Sequence, residues 1–102
     1  MMSRIRTHPG EVLREEFMKP LGLSANALAL ALRVPVTRIG DILRADKPRA
    51  VTADTAIRLA RYFGTSAEFW LNLQSAYELS RTIAERGNAI ERDVQPRAGL
   101  VA

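Results

Sequence analysis

Two helix-forming stretches meet at a forced corner near the middle of this chain, and the corner restricts what the chain can fold into. Residues 24–43 read SANALALALRVPVTRIGDIL. The first stretch, Ala27 to Leu32, is apolar and alternates alanine with leucine. Ser24 is a good N-cap for it, because a serine hydroxyl accepts from an early backbone N–H. Val34 precedes Pro35, and the residue before a proline is pushed out of the α region, so the helix ends near Leu32 and the chain turns at Arg33-Val34-Pro35. A second helix then runs from about Val36 to Leu43 or Arg44, with Ile39, Ile42 and Leu43 on the side to be buried. Thr37, Arg38, Asp41 and Arg44 lie around that apolar side. A helix this short is held by its neighbours rather than by its own propensity.

The flanking sequence supplies the neighbours. A first helix is expected from about Pro9 to Lys19, with proline in the first turn, Glu11 at the positive end of the dipole, and Val12, Leu13 and Phe17 as an apolar stripe. Pro20 and Gly22 stop it. Ala45 to Ala50 reads as a loop, and Thr52 caps a fourth helix that ends at Phe63 with Gly64 as a left-handed C′ residue. Thr65-Ser-Ala-Glu68 has the spacing of a capping box, with Thr65 as the cap. It opens a fifth helix, Ser66 to about Arg86, that carries Phe69, Trp70, Leu73 and Tyr77. Gly87 breaks the pattern, so residues 1–86 read as one domain and 87–102 as a frayed or flexible tail. No period-two alternation marks a strand, and the class is all-α with five helices. A helix, a tight turn and a second helix with a polar outer face is the arrangement that lays the second helix into the DNA major groove.

Charge agrees with that geometry. The chain of 102 residues carries a net charge of +4. Residues 1–50 hold nine Lys/Arg against five Asp/Glu, and residues 51–102 hold six of each, so the whole excess lies in the half with the corner. Basic charge beside a groove-reading helix serves phosphate attraction, although a mixed, solvated face has the same composition. A chain of this length makes one domain with a modest core, which association with a second copy would help. There is no cysteine, which excludes disulfides and thiolate metal sites. No apolar run approaches a membrane span and the N-terminus lacks the apolar region of a signal peptide, so a cytoplasmic protein is expected.

Candidate roles follow from side-chain chemistry. Val36, Thr37, Arg38 and Asp41 are the candidates for base edges. Arginine forks onto guanine, threonine bonds a base or packs on a thymine methyl, aspartate accepts from cytosine N4, and valine packs on a thymine methyl. Val36 has the alternative of finishing the core at the corner. Asp41 has the alternative of an ion pair with Arg38 or Arg44, which would orient an arginine. Arg44, Lys47 and Arg49 follow the helix where the chain leaves a groove and suit phosphates, as do Ser24 and Asn26 at a helix N-terminus. Phe69, Trp70, Leu73 and Tyr77 are either core or one face of a twofold dimer with its two recognition helices about 34 Å apart. His8 with Glu11 is a poor metal or acid–base pair, because a lone histidine offers no further ligand spacing. No phosphate loop or nucleophile elbow is present, so neither a metal, a cofactor nor an enzyme is expected.

Several words of the sequence carry a resemblance: His8-Pro-Gly-Glu11, Leu13-Arg-Glu-Glu-Phe17, Pro20-Leu-Gly-Leu-Ser24, residues 52–60 (TADTAIRLA) and residues 64–74 (GTSAEFWLNLQ). On these the chain resembles a HigA-type antitoxin, a branch of the phage-repressor-like helix-turn-helix proteins. The resemblance implies a λ-repressor-like DNA-binding domain, a homodimeric repressor bound to double-stranded operator DNA, and a HigB-like toxin partner, usually a ribosome-dependent endoribonuclease. It leaves two surfaces for the toxin, namely the first helix with its arm (Arg4, Arg6, Glu15, Glu16) and the segment after Gly87. A stand-alone regulator without a toxin shares the same DNA features. The chain departs from the superfamily at Ala25, Val36, Gly40 and Ala45, where a polar residue or, at the last position, a glycine is usual.

Overall fold

A computed structural model describes residues 4–99. The described chain has the expected all-α architecture of five helices. Helix α1 (9–21) opens as Pro9–Val12, passes through a wider π-helical turn at Leu13–Met18 and closes as Lys19–Leu21. It is followed by α2 (Ala25–Leu32), α3 (Val36–Leu43), α4 (Ala53–Phe63) and α5 (Ala67–Asp93).

Local signals set most of the ends. The Ser24 hydroxyl accepts from the Ala27 N–H at 3.1 Å and opens α2. Thr52 caps α4 through the Thr55 N–H. Gly64, at φ 77°, ends α4 in the left-handed region. Two expectations need correction here. Helix α1 does not stop at Lys19. The Lys19 N–H reaches back five residues to the Arg14 carbonyl, and this widened turn comes just before Pro20, which has no N–H to give. The cap of α5 is Ser66, whose hydroxyl accepts from the Phe69 N–H at 3.0 Å, rather than Thr65.

Thr65 is engaged elsewhere: its hydroxyl accepts from the Trp70 indole N–H at 2.8 Å. Trp70 is fully buried within its own chain, so it has no surface to offer a second copy, and its place in a dimer interface is withdrawn. Its ring lies 5.0 Å from Phe17 and 5.0 Å from Phe69, and Phe17 in turn lies 5.0 Å from Phe63. This aromatic wall joins α1, α4 and α5. Leu13, Leu28, Ile39, Ile42, Ala56 and Leu59 complete a core to which every helix contributes. Leu73 packs at its edge, and Tyr77 is half-buried against the His8 ring, centroid to centroid 4.7 Å. Gln74, also buried, accepts from the Val51 N–H at 2.8 Å and so fastens the loop before α4 to α5.

Helix α5 also runs on where a break was expected. It passes through Gly87 to Asp93. One interior glycine costs about 1 kcal/mol, and Ala84, Glu85, Arg86 and Ala89 around it are better helix formers. The far half of α5 extends past the core, so the radius of gyration is 16.9 Å, where a compact chain of this length has about 13 Å. Val94 to Gly99 form no helix.

Candidate nucleic-acid interface

The placement of α3 follows from its two buried residues. Ile39 and Ile42 are fully enclosed. At about 100° per residue, Thr37 then stands on the opposite, solvent side. Thr37 is exposed, Val36 is 45% exposed beside it, and nothing lies over the Cα of Gly40. Asp41 is half-exposed on the same outer side.

The turn before α3 is closed by Arg33 in the left-handed region, φ 61°. Its N–H bonds to the Leu30 carbonyl at 3.2 Å, and the Val34 N–H bonds to Ala29 at 3.0 Å. A side chain in that region costs about 1–2 kcal/mol. No local motif announced it, because glycine usually marks such a turn.

The far end of α3 is held by α1. A Cβ on Gly10 would strike the carbonyl oxygen of Ile42, so only glycine lets the start of α1 sit there. Arg14 Nη1 donates to the Leu43 carbonyl at 3.0 Å. His8 sets the start of α1: its Nδ1 accepts from the Gly10 N–H at 2.9 Å. The ring proton therefore sits on Nε2, which is buried without a partner among the described residues. Burial lowers the His8 pKa, and the charge of Glu78 partly opposes this. His8 is thus a helix cap rather than half of an acid–base pair. Among the described residues, no group of three His, Cys, Asp or Glu could hold a metal ion.

The arginines assigned to DNA are each engaged by a carboxylate. Arg38 lies on the flank of α3 that faces α4 and donates to Asp54 at 2.7 Å. Arg58 shares that carboxylate at 2.9 Å and also donates to the Leu32 carbonyl at the end of α2, 2.8 Å away. Hydrogen bonds from Arg58 and then Arg38 hold the Asp54 carboxyl below its ordinary pKa. This chain ties α2, α3 and α4 together and turns Arg38 away from the outer face where a base reader was expected. Asp54 and Arg58 were missed, although their i, i+4 spacing on α4 is a legible signal. Arg44 forks onto Asp46 at 3.1 and 2.9 Å, which lowers the Asp46 pKa and raises that of Arg44. Asp41 pairs with neither Arg38 nor Arg44. Its carboxylate lies 3.9 Å from Arg49. Lys47 is exposed and forms no ion pair among the described residues, and Ser24 and Asn26 are exposed at the start of α2.

A buried-backed second helix with a solvent-facing outer side, joined by a tight turn to the helix before it, defines a helix-turn-helix DNA-binding protein. The Helix-turn-helix family pattern matches residues 15–70. Over 72 residues the chain is 61% identical to virulence-associated protein I of Dichelobacter nodosus, a match covering 71% of this chain and 65% of that relative. The chain thus spans about two thirds of the length of that relative. Among solved structures, it is similar to the Pseudomonas aeruginosa antitoxin HigA with the higBA promoter, at TM-score 0.83 and 49% identity over 88% of this chain and 96% of that one. It is also similar to antitoxin GraA in complex with its operator, at TM-score 0.88 and 44% identity over 100% of this chain and 98% of that one. The chain belongs to the helix-turn-helix family, in its branch of HigA-type antitoxins. Among the described residues, no helix is long and apolar enough to cross a membrane.

Proposed function

We propose that the chain represses its own operon by binding operator DNA as a twofold dimer, and that it neutralises a partner ribonuclease toxin by direct binding. The outer face of α3 carries the DNA half of this reading, because it presents Val36, Thr37 and Asp41 on a helix whose other side is sealed. Two solved relatives, one with a promoter and one with its operator, support it. In this reading Val36 and Thr37 meet base edges or thymine methyls and Asp41 accepts from a cytosine. Arg38 reaches a base only by leaving Asp54. Arg44, Lys47 and Arg49, with Ser24 and Asn26, take phosphates. Arg44 and Arg49 exchange a carboxylate for a phosphate on binding. That exchange is feasible because exposed ion pairs are weak, whereas each phosphate contact releases counterions.

The dimer half rests on α5. Phe69, Ala76, Ile83 and Ile90 recur every seven residues on its side away from Trp70 and Gln74, the spacing of a helix–helix seam. Leu79, 63% exposed, lies along the same stripe, and Val94, 65% exposed, follows directly after its end. An antiparallel pair centred between Arg86 and Gly87 sets Ile83 against Ile90 and Leu79 against Val94, with Gly87 allowing close approach. In this register the partner's α5 ends before it reaches Phe69 and Leu73, which lie outside the seam.

Two measurements test the whole reading. Gel shifts with the chain's own upstream DNA should show a complex with two half-sites that weakens steeply with salt, and a salt-insensitive or absent complex rejects the DNA half. Co-expression with the adjacent reading frame should co-purify a small ribonuclease and restore growth, and loss of either result rejects the toxin half.

A further inference from the structure

Between the end of α3, the start of α1 and α5 lies a depression of about 290 Å³. Arg6, Arg14, Arg44 and Glu11 line it; Arg14 pairs with the exposed Glu15 at 3.1 Å and Arg44 with the exposed Asp46, which leaves Arg6 without an ion pair among the described residues. His8 and Tyr77 complete its inner wall. The His8 residue is only 7% exposed, and its Nε2–H has no acceptor among the described residues. A buried donor left unpaired is costly, so a wall that combines it with the Arg6 guanidinium and with two more whose carboxylate partners are exposed and exchangeable suits an anion.

The parts of this wall are fixed before anything binds. Arg14 is anchored to the Leu43 carbonyl at 3.0 Å, and the arm that carries Arg6 is tied to α5 by its own N–H, 2.8 Å from the Ser80 hydroxyl. The Arg44 fork already holds a planar oxyanion, the Asp46 carboxylate, so its geometry suits oxygen pairs. Arg44 and Pro48 belong to the segment that leaves α3 and also carries Lys47 and Arg49. The depression therefore adjoins the segment that carries the phosphate candidates Lys47 and Arg49.

We propose that this depression is a phosphate site, filled by a backbone phosphate of bound DNA, with Arg6 and Arg14 as binding residues outside the helix-turn-helix. The source of the phosphate rests on the operator-binding reading, while the anion chemistry does not. The test uses the full chain. Arg6→Gln should keep the thermal midpoint, weaken operator and unrelated DNA alike, and reduce the slope of log affinity against log salt by about 0.9, the loss of one phosphate contact. In parallel, inorganic phosphate is titrated into DNA-free protein while the His8 and Tyr77 ring resonances are followed. His8→Asn, which keeps an acceptor for the Gly10 N–H but lacks the Nε2–H, serves as a second variant. Tyr77 ring shifts in the wild type that both variants lose support the site, the His8 signals being compared only between the wild type and Arg6→Gln. If those shifts occur while Arg6→Gln leaves DNA binding and its salt slope unchanged, the site stands with free phosphate as its ligand. Unchanged DNA binding together with unresponsive rings overturns the proposal. A wild type that binds no DNA at all sinks the operator reading instead, and the phosphate titration still tests the depression.

Discussion

The aromatic wall and the cationic face differ in how many partners each group can choose. Trp70, Phe17 and Phe63 contact one another across three helices, and Trp70 has no solvent-facing alternative. Arg38, Arg44 and Arg49 have neighbours too, but those carboxylates are exposed and replaceable by another anion. Stability is therefore concentrated where contacts cannot be exchanged, and recognition where they can. A small domain separates the two in this way so that binding does not compete with folding.

Trp70→Ala probes this contrast hardest. It should cost about 3–5 kcal/mol of stability in urea or thermal unfolding. Where the variant still folds it should keep the mass of the proposed dimer, and an intact fold that loses only that association would restore Trp70 to an interface. Gly10→Ala lies between the two regions. The clash with the Ile42 carbonyl should cost about 1–3 kcal/mol and also weaken operator binding, because the end of α3 must move. Full operator affinity in that variant breaks the link between α1 and the recognition helix. Thr37→Ala should leave stability within about 0.5 kcal/mol and lose about 1–3 kcal/mol at its preferred base pair only. Equal weakening on every sequence makes Thr37 a phosphate contact.

The smallest effect is expected from pH. Burial holds the folded pKa of His8 below its ordinary value, so the unfolded chain takes up the proton first as pH falls. The contribution of His8 is fully present above about pH 6.5 and is lost as pH drops through the lowered folded value. Protonation also puts a hydrogen on Nδ1, which then cannot cap Gly10. His8→Asn should flatten this part of the stability–pH curve, and an unchanged curve assigns the titration to other groups.

Much of the fold was legible because its signals are local. Ser24, Pro35, Thr52 and Gly64 each act on neighbours within a turn, and the apolar spacing of Ile39 and Ile42 faced α3 correctly. Gly87 misled, since a single glycine is a weak stop when its neighbours favour a helix. Trp70 misled for a different reason. An aromatic residue on a last helix reads equally well as core or interface until the position of Phe17 is known.

The sequence by itself determined the five helices, the corner between α2 and α3, and the words that carry the family. Tertiary structure alone decided which carboxylate holds which arginine, which side of α5 stays bare, and that Arg6 of the arm lines the same depression as Arg44. Periodicity places a residue on one side of its own helix. It carries no information about which other helix lies across from that side, and the distances that govern ion pairs and burial are set there.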